Sequence, residues 1–212
     1  MRIRLMTLTC CSALIALGCS DLPDSEVPAG DRAAEEGAPS AHDRFWNGLV
    51  TLCGLAFQGE ASGAEAQERG FQDAELTVYL QDCMGDSVRA PITVGDDASR
   101  SWVLHRLPDG LGLRHHRRVD DAEKGPSRAY GGTTQDEGAA TRQAFLADSA
   151  SAELLGVDRP PVWQMEILPG RTLSYEVLGP EGEATLRLEF DLMRPVDPPS
   201  SEEDEAVSST AP

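Results

Sequence analysis

Ser101-Trp102-Val103-Leu104-His105-Arg106-Leu107, then Pro108-Asp109-Gly110, then Leu111-Gly112-Leu113-Arg114-His115 reads as two strands about a tight turn. Proline presets φ for a turn and glycine accepts positive φ, so the spacing predicts a hairpin with a three-residue loop. Pairing Leu107 with Leu111 places Val103, His105, Leu107, Leu111, Leu113 and His115 on one face. Trp102, Leu104, Arg106, Arg114 and His116 then share the other. The first face is the expected core.

The same period of two extends in both directions. Upstream, Leu76, Val78 and Leu80 alternate with Thr77, Tyr79 and Gln81, and Ile92 and Val94 with Pro91 and Thr93. Downstream, Trp163, Met165 and Ile167 share one face, Pro169-Gly170 turns the chain, and Leu173, Tyr175 and Val177 answer them. After a second turn at Gly179-Pro180-Glu181-Gly182, Ala184, Leu186, Leu188, Phe190 and Leu192 give the cleanest strand buried on one face. The period is helical only near the start, where Phe45, Leu49, Leu52, Cys53, Ala56 and Phe57 recur at three and four residues. Ser40 or Asp43 is placed to cap that helix and Gly59 to end it. Asp148 is placed to cap a short helix over 149–155 that Gly156 ends. About seven antiparallel strands with one N-terminal helix predict a mainly β domain, an antiparallel curled sheet or small open β-barrel.

That domain occupies residues 42–194. Residues 1–18 read as a secretion signal, with Arg2 and Arg4 ahead of an apolar run from Leu5 to Leu17 that is too short to span a bilayer. Ala16-Leu17-Gly18-Cys19 resembles the lipobox of bacterial lipoprotein signals, which implies cleavage before Cys19 and a lipid anchor of the palmitate type on its thiol. Ordinary cleavage after a small-x-small stretch is the alternative. Ser20, not Asp, follows the cysteine, which in that resemblance implies the outer membrane of the cell envelope. Residues 19–41 carry three prolines and six acids against one arginine and read as a disordered tether, about 25 Å in average reach. Residues 195–212 read as a solvated acidic tail.

The net charge is −18, and losing Arg2 and Arg4 with the signal leaves −20. Such a surface repels nucleic acid, so the expected partners are the membrane, through the lipid, and an envelope component of unknown identity. Once Cys10 and Cys11 leave with the signal and Cys19 takes lipid, Cys53 and Cys83 remain, and an oxidising compartment favours a disulfide between them over two buried thiols.

Leu52-Cys53-Gly54 with Ala56-Phe57, Val94-Gly95-Asp96-Asp97 before Ser99-Arg100-Ser101-Trp102, Tyr130-Gly131-Gly132-Thr133, Ala140-Thr141-Arg142-Gln143 and Glu189-Phe190-Asp191-Leu192 together resemble a family of uncharacterised secreted proteins and lipoproteins of Gram-negative bacteria. The resemblance covers most of residues 45–194. It implies an envelope address and carries no activity. Where that family has histidines at alternating positions, His115 keeps the first place, and Arg117 and Val119 take the other two.

No nucleophile elbow, His-Glu-x-x-His, Cys-x-x-Cys outside the signal, or phosphate loop occurs, so neither catalytic residues nor a cofactor are expected. His105 and His115, on one face in the register above, would approach a metal site with a carboxylate such as Asp82; two satisfied core histidines are the competing expectation. Arg114, His116 and Arg118 share the opposite face as a candidate anion-binding patch, unless Asp120, Asp121 and Glu123 neutralise them. Three functions follow: non-catalytic binding of a partner or envelope component, carriage of a small apolar ligand between faces such as Leu186, Phe190 and Tyr175, or a His-dependent metalloenzyme.

Overall fold

The computed structural model describes residues 38–118 and 128–199. Eleven strands form one antiparallel sheet that closes on itself. β1 (Ala56–Ser62) lies between β2 (Leu76–Tyr79) and the last strand, β11 (Ala184–Val196). β4 (Ser87–Val94), β5 (Asp97–Leu107), β6 (Gly110–Arg117), β7 (Arg128–Thr134), β8 (Arg142–Ala147), β9 (Val162–Leu168) and β10 (Thr172–Leu178) then follow in chain order as hydrogen-bonded neighbours. Pairing of Leu76 with Val94 and Val78 with Ile92 joins β2 to β4 and seals a ten-strand barrel. The extra strand, β3 (Gln81–Met84), continues β2 along β4 in the same register, with Gln81 opposite Arg89. Closure removes the open edges that a curled sheet would expose.

The downstream meander forms as its alternation predicts, with Leu173 opposite Ile167, Tyr175 opposite Met165 and Val177 opposite Trp163. Leu186, Leu188, Phe190 and Leu192 of β11 are buried. Asp148 caps α3 (Ser149–Leu155), and Gly156 ends it at φ 66°.

Four expectations need correction. The first helix, α1 (Ala41–Val50), stops nine residues before Gly59, and Ala56 and Phe57 begin β1 instead. Thr51 Oγ1 donates to the Gly48 carbonyl at 2.6 Å, and Gly54, at φ 80°, turns the chain so that its N–H reaches Leu80 O. Apolar residues at 52, 53, 56 and 57 fit a helical stripe and a buried turn followed by a strand equally well, and the sheet hydrogen bonds decide. Secondly, the hairpin is one residue tighter. Leu107 pairs with Gly110, so Trp102 sits opposite His115 and Leu104 opposite Leu113. A one-residue slip exchanges the faces of one strand. The buried set is therefore Trp102, Leu104, Leu111, Leu113 and His115, which removes more apolar area from water than Val103 and His105 would.

Thirdly, the domain is wider than 42–194. Ser40 caps α1 through a reciprocal pair with Asp43: Asp43 N donates to Ser40 Oγ at 3.0 Å, and Ser40 N to Asp43 Oδ2 at 3.2 Å. At the other end Pro195 and Val196 belong to β11, opposite Phe57 and Ala56. Fourthly, about seven strands become eleven, and a further short helix, α2 (Ala64–Glu68), links β1 to β2. β7 and β8 lack an apolar alternation. Gly132 in β7 lies so close to β8 that a Cβ would overlap the Leu146 carbonyl, and β8 turns Gln143 inward with Phe145 and Ala147. Gln143 Nε2 donates to the carbonyls of Glu137 and Ala139, which satisfies both of its N–H groups, while its buried Oε1 has no hydrogen-bond partner among the described residues.

α1 stoppers one end of the barrel with Phe45, Trp46 and Leu49. The disulfide between Cys53 and Cys83, Cα atoms 6.2 Å apart, ties the turn after α1 to β3.

Candidate functional site

Inward positions of β5, β6 and β7 stack in rows, because paired residues sit level and every second residue faces in. Leu104, Leu113 and Gly132 form one row, and Trp102, His115 and Tyr130 the next. Arg100, Arg117 and the backbone of Arg128 form a third, farthest from α1. The interior thus changes from aliphatic to aromatic to cationic along the barrel axis.

The aromatic row carries most of the contacts. Trp102 stacks on Tyr175 at 4.6 Å between centroids, and His115 stacks on Tyr130 at 4.7 Å and leans on Trp163 at 4.6 Å. His115 is buried. Its Nδ1 lies 3.3 Å from the Tyr130 carbonyl, which can only accept, so Nδ1 carries the proton. The Tyr175 hydroxyl, 2.8 Å away, then donates to Nε2. Burial pushes the imidazole down to about 3, against the Tyr130 hydrogen bond and helped by the charge of His116. The same burial raises the phenol of Tyr175 well above its ordinary value. Both groups are neutral and mutually satisfied at physiological pH.

Beyond this row the barrel is not filled. A cavity of about 230 Å³ opens at the end away from α1. Trp102, His115, Tyr130 and Tyr175 line it with Leu186 and Leu188 of β11. Phe71, after α2, and Leu154 and Leu155 of α3 contribute to its wall. Ile92 and Val94 of β4, His116, and the three arginines Arg69, Arg100 and Arg117 complete the lining. Arg69 pairs with Glu65 at 2.5 Å and Arg100 with Asp97 at 2.8 Å, while Arg117 has no ion pair among the described residues. The Arg100 guanidinium lies over the Phe71 ring at 5.1 Å, and its Nε is buried with no hydrogen-bond partner among the described residues. All three guanidiniums act on the Tyr130 phenol, favouring its ionised form, although burial outweighs them and raises it. Burial alone would raise the Asp97 carboxyl, but hydrogen bonds from Ser99 and the charges of Arg100 and Arg117 prevail and lower it.

The proposed histidine pair is not brought together. His105 pairs with Gly112 and faces outward while His115 faces in, so a metal site shared by the two is excluded by the register. Among the described residues no group of three His, Cys, Asp or Glu is placed to hold a metal ion. Arg114 and His116 do share the outer face of β6, and Arg118 directly follows the strand. Arg114 is committed to Asp148 at 2.6 Å, and Arg118 donates to the Ala98 carbonyl at 3.3 Å. His116 and Arg118 line an outer groove of about 480 Å³ with Arg89. Burial lowers the His116 imidazole, with Arg89, His105 and Arg114 acting in the same direction. Asp120, Asp121 and Glu123, and Cys19, the expected site of lipidation, lie outside the described residues.

Of the three residues expected to flank an apolar ligand, Leu186 and Tyr175 line the cavity. Phe190 lies outside that lining, its ring edge-on to Trp102 at 6.3 Å. Arg69, Arg100, Arg117, Trp102 and Tyr130 were not singled out by the sequence for this site. The alternation signal that could have found Trp102 was present, but the three-residue loop assigned it to the wrong face.

Fold and cavity together define a closed up-and-down β-barrel, stoppered at one end and hollow at the other, with a space of ligand size. Comparison with protein-family models, with curated proteins and with solved structures finds no significant match.

Proposed function

We propose that the chain is a non-catalytic, lipid-anchored protein of the bacterial envelope whose barrel holds one small ligand in its end cavity. The observation that carries the binding role is the cavity itself, walled by aromatic and aliphatic side chains and lined also by three arginines. A dry apolar cavity of about 150 Å³ is enough to take benzene, so 230 Å³ suits a substituted ring or a short acyl chain. The anchor rests on Ala16-Leu17-Gly18-Cys19.

Tryptophan fluorescence tests the binding role, since Trp102 lines the cavity and Trp163 touches His115. Titrating the full chain with benzyl alcohol, a neutral probe, should give saturable quenching. A response no different from that of free tryptophan overturns the reading. Cys19→Ala tests the anchor: the variant should leave the membrane fraction or stay uncleaved, because one lipidated thiol has no substitute in the tether. Normal fractionation would remove the anchor and leave the cavity untouched.

A second reading follows from the outer groove of Arg89, His116 and Arg118, a cationic strip on a chain of net charge −18. It would offer an anionic envelope glycolipid a place on the barrel wall. Salt-insensitive binding, or equal binding by an Arg89→Gln, Arg118→Gln variant, would reduce it to a solvated face.

A further inference from the structure

We propose that the end cavity selects a small monoanionic amphiphile, a carboxylate carried on a ring or short chain, with its apolar body against the aromatic row and its head among Arg69, Arg100 and Arg117. This inference rests on the cavity being a binding site and adds the chemical class of what it binds.

The layering gives the orientation. Trp102, His115 and Tyr130 are level with one another and buried or half-buried, and two residues nearer the open end Arg100 and Arg117 are level with one another on the same side of the strands. A ligand entering from that end meets guanidinium first and ring faces second. A carboxylate directly on a ring, or at the end of a short chain, matches that order over the two-residue spacing between the rows. The charge count gives the valence: Glu65 offsets Arg69 and Asp97 offsets Arg100, so three cations against two carboxylates leave one positive charge, that of Arg117. Arg100 uses part of its fork on Asp97 and leaves Nε without an acceptor among the described residues, an arrangement that costs stability until an oxygen arrives. Guanidinium forks hold carboxylates by paired, charge-assisted hydrogen bonds, which a neutral alcohol cannot reproduce. The Arg117 side chain is exposed, so its field alone would be screened by salt. Arg100 is half-buried and over the Phe71 ring, where screening is weaker. His115 and Tyr175 beneath the head are neutral and supply no competing charge.

The experiment compares benzoate with benzyl alcohol, ligands of one ring that differ in the head, by tryptophan fluorescence of the full chain at low and at physiological salt. Benzoate should bind at least ten-fold tighter at low salt, with part of that ratio lost as salt rises. In Arg100→Gln, Arg117→Gln the ratio should fall to near one, and in Arg100→Lys, Arg117→Lys, which keeps the charge, most of it should survive. The lysine variant also guards against loss of folding as the cause. If both ligands bind wild type equally, the cavity is a binding site without anionic selectivity and this proposal alone fails; neutralisation by Asp120, Asp121 or Glu123 would give that result. If neither ligand binds, the cavity reading fails with it. A ten-fold benzoate preference that persists in the glutamine variant would also overturn the proposal, since the head would then be held elsewhere.

Discussion

The Tyr175 hydroxyl donates to His115 Nε2 at 2.8 Å while Nδ1 donates to the Tyr130 carbonyl, the hydrogen-bond pattern of the uncharged imidazole that burial enforces. Protonation would place a cation among buried aromatic rings and turn Nε2 from acceptor to donor. The pH dependence of stability follows. His115 has its affinity for protons lowered from an ordinary 6.5 to about 3 on folding, so below pH 6.5 the unfolded chain binds a proton that the folded chain refuses. The stability contributed by the neutral form is complete above pH 6.5 and is lost as the pH falls toward 3, at about 1.4 kcal/mol per pH unit from this one group. His115→Gln should be less stable at pH 7.5 yet show a shallower decline between pH 6 and 4.5. Denaturant midpoints across that range measure it, and parallel declines would show that the acid sensitivity comes from the paired carboxylates instead.

Cys53 and Cys83 close a loop of thirty residues that contains β1, α2 and β2. Those elements form the seam where the barrel closes, so the crosslink restrains that seam. Replacing both cysteines by alanine should cost about 3 kcal/mol in the chain-entropy account and lower the thermal midpoint by roughly 10 °C. Thiol labelling of the oxidised, unfolded chain should find neither residue reactive.

Asp148 serves two partners, the Ser151 N–H at 2.7 Å and the Arg114 guanidinium. Hydrogen bonds from Ser151 first, and then Arg114, hold its carboxyl below the usual range despite some burial. The two interactions differ in worth, because a helix cap contributes about 1 kcal/mol and an exposed ion pair between 0 and about 1. Asp148→Ala should therefore destabilise clearly more than Arg114→Gln, as urea midpoints would show. The opposite order would mean that Arg114 does more than neutralise the cap.

Much of the fold was legible because its signals are local. The cap at Ser40, one of the two candidates, the alternation of Leu186 to Leu192 and the turn at Pro169-Gly170 each depend on residues within a few positions. The mainly β barrel follows from such signals together, whereas the disulfide follows from the cysteine count and the expected oxidising compartment. What was not legible depends on neighbours distant in sequence. Gly131 and Gly132 mark β7 only once β6 and β8 are seen pressing on them, and Gln143 faces inward only because Glu137 and Ala139 supply its acceptors. The site suffered most from a single residue of loop length. Pairing Leu107 with Gly110 and not Leu111 moves His105 outward and sets Trp102 beside His115, exchanging a metal pair for an aromatic cavity.

The same substitution should have opposite consequences in the two halves of the barrel. Leu186 lines the cavity, whereas Leu113, level with Leu104, is fully buried in the filled half below the aromatic row. Enlarging a side chain in a packed core forces neighbours off their rotamers and costs about 1 to 3 kcal/mol, while enlarging one beside an empty space can bury added apolar area without that strain. Leu113→Trp should accordingly lose several degrees of thermal stability. Leu186→Trp should melt close to wild type yet fail to bind benzyl alcohol, because the indole occupies the space the probe needs. If Leu186→Trp binds the probe normally, the ligand does not enter the barrel. If the two variants are destabilised equally, the end cavity is closed in solution and cannot serve as a binding site.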